Sequence, residues 1–182
     1  SHNPANYNGF KMLVRGKSLH GNNIRKLANL IQKGLKKKGT VNSYNIEESY
    51  LNEITKNIKN INNDLRVVWD AGNGSTGNIL KKMIRLLPGK HFLLNTDVDG
   101  TFPSHHPDPT EEKNLKQLKA KVSSIKADLG IAFDGDGDRI GVVTDKGEII
   151  FPDQLMMIFA KDVLKNHPGK EIIFDVKCTN LL

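Results

Sequence analysis

Leu129-Gly130-Ile131-Ala132-Phe133-Asp134-Gly135-Asp136-Gly137-Asp138-Arg139-Ile140-Gly141-Val142-Val143 runs apolar, then acidic, then apolar again. The two apolar runs, Leu129 to Phe133 and Ile140 to Val143, read as strands, and Thr144-Asp145-Lys146-Gly147 supplies a turn after the second. Between them three carboxylates alternate with two glycines, and a guanidinium follows at once. Side chains of an extended chain alternate from side to side, so Asp134, Asp136 and Asp138 can converge on one point while the glycines let the backbone curl around it. Three anionic oxygens suit a hard cation such as Mg2+ or Ca2+. Without one their mutual repulsion is costly, which weighs against a plain polar turn. An EF-hand loop needs Gly at its sixth position and Glu at its twelfth, between helices. Counted from Asp134 those positions hold Arg139 and Asp145, and the flanks are strand-like. Arg139 makes sense where an anion such as a phosphate shares the site.

Upstream, Leu65 to Trp69 predicts a strand, followed by Asp70-Ala71-Gly72-Asn73-Gly74-Ser75-Thr76-Gly77, a helix over Asn78 to Leu87, the breaker Pro88-Gly89 and a strand from His91 to Leu94. Gly72, Gly74 and Gly77 fall at dinucleotide-fingerprint spacing, with Asp97 about twenty residues further on. Asp70, however, puts a carboxylate immediately before a loop that would receive a pyrophosphate. The glycines are read instead as permitting close strand-to-helix packing. Asp97-Val98-Asp99-Gly100-Thr101 resembles the nucleophile motif of haloacid-dehalogenase-type phosphatases, with the Asp134 loop as their metal motif. The two stretches lie too close in the chain for that family's intervening helices and lysine motif, so this remains a distant alternative.

Phe102-Pro103-Ser104-His105-His106-Pro107-Asp108-Pro109 is stiffened by three prolines. Its histidines and Asp108 are either a transition-metal site or part of a rigid loop packed near the acidic loop. Thr110 is expected to cap a helix with Glu111 and Glu112 in its first turn and Leu115, Leu118, Val122 and Ile125 on one face. Further helices are expected over Gly21 to Leu35, capped by Asn22 or Asn23, over Glu47 to Ile61, and from Pro152 to the breaker Pro168-Gly169. Ile172 to Val176 reads as a strand. At the N-terminus, Ser1-His2-Asn3-Pro4 and Asn8-Gly9 have loop chemistry, with a short strand through Met12, Leu13 and Val14. Ser1 is a candidate nucleophile or phospho-carrier with Lys11 brought back beside it, or a terminal remnant without a role.

The chain has 182 residues, 37% hydrophobic, a net charge of +7 and a sequence pI near 9.4. The densest basic cluster, Lys36-Lys37-Lys38, ends an expected helix, where the helix dipole favours cations, and aromatic residues are not interleaved with it. Nucleic acid is therefore not an expected partner; an anionic small substrate suffices. The single cysteine, Cys178, fits a reducing compartment. No apolar run reaches membrane-spanning length, so no membrane partner is expected and the cytoplasm is the expected location.

Four stretches together resemble the α-D-phosphohexomutase superfamily, in its bacterial phosphomannomutase/phosphoglucomutase branch. Ser1-His2-Asn3-Pro4 with Tyr7 to Lys11 is similar to the phosphoserine loop, and Asp70 to Gly74 to the opening strand and turn of the second domain. Val98 to Pro109 matches a family signature, and Asp134 to Arg139 the metal loop. Phe174 to Thr179 adds a likeness to the first strand of domain three. The resemblance implies an α/β fold of mixed-sheet, three-layer domains: the end of domain one over residues 1–45, a complete domain two over 46–150, and the start of domain three over 151–182. It also implies a reaction. A phosphorylated Ser1 gives its phosphoryl group to a hexose phosphate, and the bisphosphate turns over and returns the other phosphate, so that phosphate moves between C6 and C1 of glucose or mannose. Ser1, His2, Asn3, Lys11 and Arg139 would serve catalysis, with Lys11 as general acid/base. Mg2+ would be held by Ser1, Asp134, Asp136 and Asp138, with a hexose 1,6-bisphosphate as intermediate or activator and a hexose phosphate as substrate. The remaining domains of such an enzyme have no counterpart in these residues, so a fragment that at most binds Mg2+ is the alternative expectation.

Overall fold

The computed structural model describes residues 6–7, 9–34, 39–58 and 62–179. Two compact units result, one within residues 4–46 and one from residue 47 onward. In the first, β1 (Leu13–Val14) pairs antiparallel with β2 (Lys17–Ser18) across Arg15-Gly16. Both turn residues have positive φ, as a two-residue hairpin loop requires. Helix α1 (Asn22–Gln32) follows; Gly21, rather than Asn22 or Asn23, stands at its N-cap, and none of its residues is buried.

In the second unit, α2 (Glu47–Thr55) leads to β3 (Arg66–Asp70), α3 (Gly77–Met83), β4 (Lys90–Leu94), α4 (Lys116–Ile125), β5 (Leu129–Phe133), β6 (Ile140–Thr144), β7 (Ile149–Ile150) and α5 (Pro152–Asn166). The sheet order is β4-β3-β5-β6-β7. Strands β4, β3 and β5 are parallel, and β6 and β7 join antiparallel. From β3 the chain moves outward to β4 and then back past β3 to β5. Right-handed crossovers therefore put α3 and α4 on opposite faces, which makes three layers. Alternation along the strands sends Val68, Ala132 and Val143 to the α4 face, where they bury against Leu115, Leu118, Val122 and Ala127. On the other face Trp69 stacks parallel to Phe133 at 6.3 Å. The mixed α/β sheet is the expected fold class.

Several boundaries differ from expectation. Helix α2 stops at Thr55, and residues 59–61 lie outside the described part. Helix α3 ends at Met83, short of Leu87. Thr110 caps nothing: its hydroxyl donates to Asp108 Oδ1 at 2.7 Å, and the chain makes a 3-10 turn at Glu112–Leu115 before α4 begins. Residues 172–176 form no strand, because among the described residues no neighbouring strand offers them a hydrogen-bond ladder. Lys36, Lys37 and Lys38 lie outside the described residues.

The first residue of α3 shows why glycine stands there. A Cβ at Gly77 would fall within contact distance of the Thr96 carbonyl oxygen and carbon, both backbone atoms that cannot rotate away. Gly77→Ala should therefore cost about 3 kcal/mol, the upper end of overpacking effects. Urea denaturation of the two proteins measures it; an unchanged midpoint would refute the close approach.

Candidate metal centre

The carboxyl ends of β3 and β5 lie side by side in the parallel part of the sheet, Asp70 opposite Ala132. This is the edge where open α/β sheets place their ligands. From β5 the chain turns through Asp134–Asp138 into β6. The turn is held by Gly137 N–H donating to Asp134 O at 3.2 Å, and by Arg139 N–H donating to Asp134 Oδ1 at 3.0 Å. That bond draws the first carboxylate inward. Asp134 is buried, while Asp136 and Asp138 are exposed. Each of the three offers one carboxylate oxygen, and these atoms all lie within 4.8 Å of one another. Burial pushes the Asp134 carboxyl above its ordinary range; the Arg139 amide opposes this and the charge of Asp136 adds to it. A donor set of three hard anionic oxygens, converging and held by the backbone, fits a cation of the Mg2+ class. Among the described residues no other three His, Cys, Asp or Glu side chains come together in this way.

The loop rests on a second one. Ser75 N–H and Ser75 Oγ both donate to the Gly135 carbonyl, at 2.9 and 3.2 Å. A Cβ on Gly74 would meet Gly135 O at 2.7 Å. The glycine-rich turn is thus filled by the acidic loop, which leaves no cradle for a pyrophosphate; its glycines serve close packing. The transition-metal alternative for His105 and His106 is also set aside. His105 Nε2 bonds Asp70 Oδ2 at 3.0 Å and its Nδ1 faces His106 O at 3.0 Å, while His106 is exposed. The proline-rich loop instead packs close by, with Pro107 against Gly72 and Pro109 against Gly141. Asp97 is exposed and ion-paired to Lys81 at 2.7 Å, outside the carboxylate cluster.

Of the other expected site residues, Ser1, His2 and Asn3 lie outside the described residues. Lys11 is exposed in the first unit. Arg139 is exposed and, with Asp138, lines a cavity of about 620 Å³ walled by Pro152, Leu155, Met156 and Phe159. The polar network at the end of β3 is absent from the sequence reading. Asp70, wholly buried, accepts bonds from Gly72 N–H, Asn95 Nδ2 and His105. Its only sequence signal is a carboxylate closing an apolar strand.

The sequence profile described as phosphoglucomutase/phosphomannomutase, alpha/beta/alpha domain II, matches residues 48–147. The chain belongs to the phosphoglucomutase/phosphomannomutase family. A phosphomannomutase/phosphoglucomutase of Pseudomonas syringae is 47% identical over the whole chain, which spans 39% of that protein. A phosphoglucomutase of Neisseria meningitidis is 47% identical, again over the whole chain and 40% of its own length. A family protein from Burkholderia thailandensis, solved by crystallography, superposes with a TM-score of 0.89 at 43% identity, covering 98% of this chain and 39% of that one. A putative phosphomannomutase from Thermus thermophilus shares the fold, with a TM-score of 0.66 at 19% identity over 83% of this chain and 36% of its own. The chain thus spans about two fifths of the length of the relatives it matches. No helix among the described residues is long and apolar enough to cross a membrane.

The Asp70–His105 bond ties the unit's stability to pH. That bond raises the pKa of His105 above its ordinary 6.5, against the opposing effect of burial. A group with a raised folded pKa stabilises the fold fully below its unfolded value and loses that contribution as pH climbs through the folded value. The thermal midpoint should therefore fall as pH rises from about 6.5 through the raised pKa. In His105→Gln this slope should flatten; an equal slope in both proteins would show that His105 does not carry it.

Proposed function

We propose that this chain carries the phosphoserine and metal-binding parts of an enzyme that interconverts hexose 6-phosphate and hexose 1-phosphate, of glucose or mannose. The observation that supports this best is the convergence of Asp134, Asp136 and Asp138 in a chain of this family, where the sequence expects that loop to face a phosphate. Ser1 is the proposed phosphoryl carrier. The bond from its oxygen to phosphorus breaks as a sugar hydroxyl oxygen bonds the same phosphorus; the hydroxyl proton passes to a base, for which Lys11 is proposed, and the departing Ser1 oxygen takes up a proton from solvent. His2 and Asn3 are proposed to line the same path. Arg139, beside the carboxylates, is proposed to hold phosphate oxygens with its planar fork of donors.

The three aspartates, with a phosphate oxygen on Ser1, would hold Mg2+. When bound, that ion neutralises charge on the phosphoryl group as it moves and lowers the cost of bringing an anion to three carboxylates. The division into residues 1–45, 46–150 and 151–182 is proposed as the domain frame, with a hexose 1,6-bisphosphate as the intermediate that turns over between two transfers. Positioning supplies much of the rate in such chemistry, so full turnover is proposed for the longer protein that the relatives represent, and Mg2+ binding for this chain.

Calorimetric titration tests the binding half. The unaltered chain should bind Mg2+, and Asp136→Ala should abolish that binding; retained affinity would remove the assignment. Labelled glucose 1,6-bisphosphate tests the transfer half in the longer protein. Label on Ser1 supports the mutase reading, whereas an acyl phosphate on Asp97 would favour a phosphatase of the haloacid-dehalogenase type.

A further inference from the structure

The acidic loop rests on the turn that carries Ser75, and that turn begins at the buried Asp70, which is bonded to His105. Asp70 is wholly buried at the end of β3. Its Oδ1 accepts from Gly72 N–H and from Asn95 Nδ2, both at 2.9 Å, and its Oδ2 faces His105 Nε2 at 3.0 Å. The second hydrogen of the Asn95 amide reaches Gln117 Oε1 at 2.9 Å. A buried carboxylate is tolerated only when paired and bonded in this way. Both nitrogens of His105 face acceptors, the Asp70 carboxylate and the His106 carbonyl. A ring protonated at both nitrogens donates to both of these acceptors.

This pair fixes the path of the next residues. Gly74 N–H closes a turn onto Ala71 O at 2.8 Å, and Asn73 N–H reaches across to Asn95 O at 2.7 Å. The turn then presents Ser75 to the Gly135 carbonyl, through both its N–H and its hydroxyl. Gly74 approaches Gly135 so closely that a Cβ would meet its carbonyl oxygen at 2.7 Å, and Thr76 Cγ2 occupies the space that a Cβ on Gly137 would need. Gly135 and Gly137 are the two residues between the three aspartates. The turn at residues 71–76 thus packs directly on the two residues that space the carboxylates.

We propose that His105, through its bond to Asp70, is a positioning residue for the cation site, holding the turn on which Gly135 and Gly137 rest. The inference rests on the proposed cation-binding role of Asp134, Asp136 and Asp138. His105 is not one of the converging carboxylate ligands; it acts through the Asp70–Gly74 turn. Partners at this remove from a metal change its affinity by about 10- to 100-fold in other sites.

Two readouts on the full chain test it. The first is amide hydrogen exchange at Ser75 and Gly137, whose N–H groups form the seat and the loop. The second is Mn2+ affinity by electron paramagnetic resonance. In His105→Gln, exchange at these two amides should rise about tenfold more than at amides of β5 and α4, which report the general loss of stability, and Mn2+ should bind about tenfold more weakly. Unchanged exchange and affinity would overturn the proposal. So would a uniform rise across the whole unit, which marks a general loss of stability rather than positioning. Asp70→Asn, nearly isosteric, makes the same test should His105→Gln fail to fold. An unaltered chain that binds no Mn2+ would overturn the cation-site reading instead, and the exchange arm would then decide the positioning alone.

Discussion

Three carboxylates held within 4.8 Å repel one another, and much of the local architecture serves to keep them there. Neighbouring side chains do not supply all of the restraint. The Arg139 amide turns Asp134 inward, and the Gly135 carbonyl is held from the other side by Ser75. Backbone donors are well suited to this because they do not swing away when charge accumulates. The cost appears in Asp134, whose carboxyl is pushed above its ordinary range by burial first and by Asp136 as well. A bound cation would reverse both effects.

The sheet explains why two distant loops meet. Strands β3 and β5 are parallel neighbours, so the loops at their carboxyl ends emerge on the same edge. Crossing α4 over one face leaves that edge open, and the proline-rich loop closes its base, with Pro107 on Gly72 and Pro109 on Gly141. The glycine spacing that resembles a dinucleotide fingerprint follows from this crowding. Gly74 lies against Gly135 and Gly77 against Thr96, so these positions admit no side chain. The same spacing elsewhere admits a pyrophosphate; here another stretch of the same protein occupies the room.

The sequence made the strands around Asp134 and the convergence of its three acids legible, because alternation is a local property and both flanks are apolar. The helix from Pro152 was legible for a similar reason, with an apolar stripe and a proline at its start. What could not be read depended on contacts between remote segments. Thr110 looked like a cap, yet Asp108 takes its hydroxyl and the helix starts later. Residues 172–176 have strand composition, but a strand exists only through a partner, and composition does not name one. For His105 the sequence left a metal ligand and a rigid packing loop both open, and only Asp70, far away in the chain, against its ring decides for the loop.

On the proposed reading, Asp134, Asp136 and Asp138 form one cation site before any substrate arrives. Anomalous diffraction from a crystal of the chain soaked in Mn2+ tests it directly. One peak is expected at the end of β5, with an oxygen of each aspartate at about 2.1–2.2 Å, near the distances hard divalent cations adopt. A map without that peak, or with the ion held by other residues and the three carboxylates splayed apart, would contradict it.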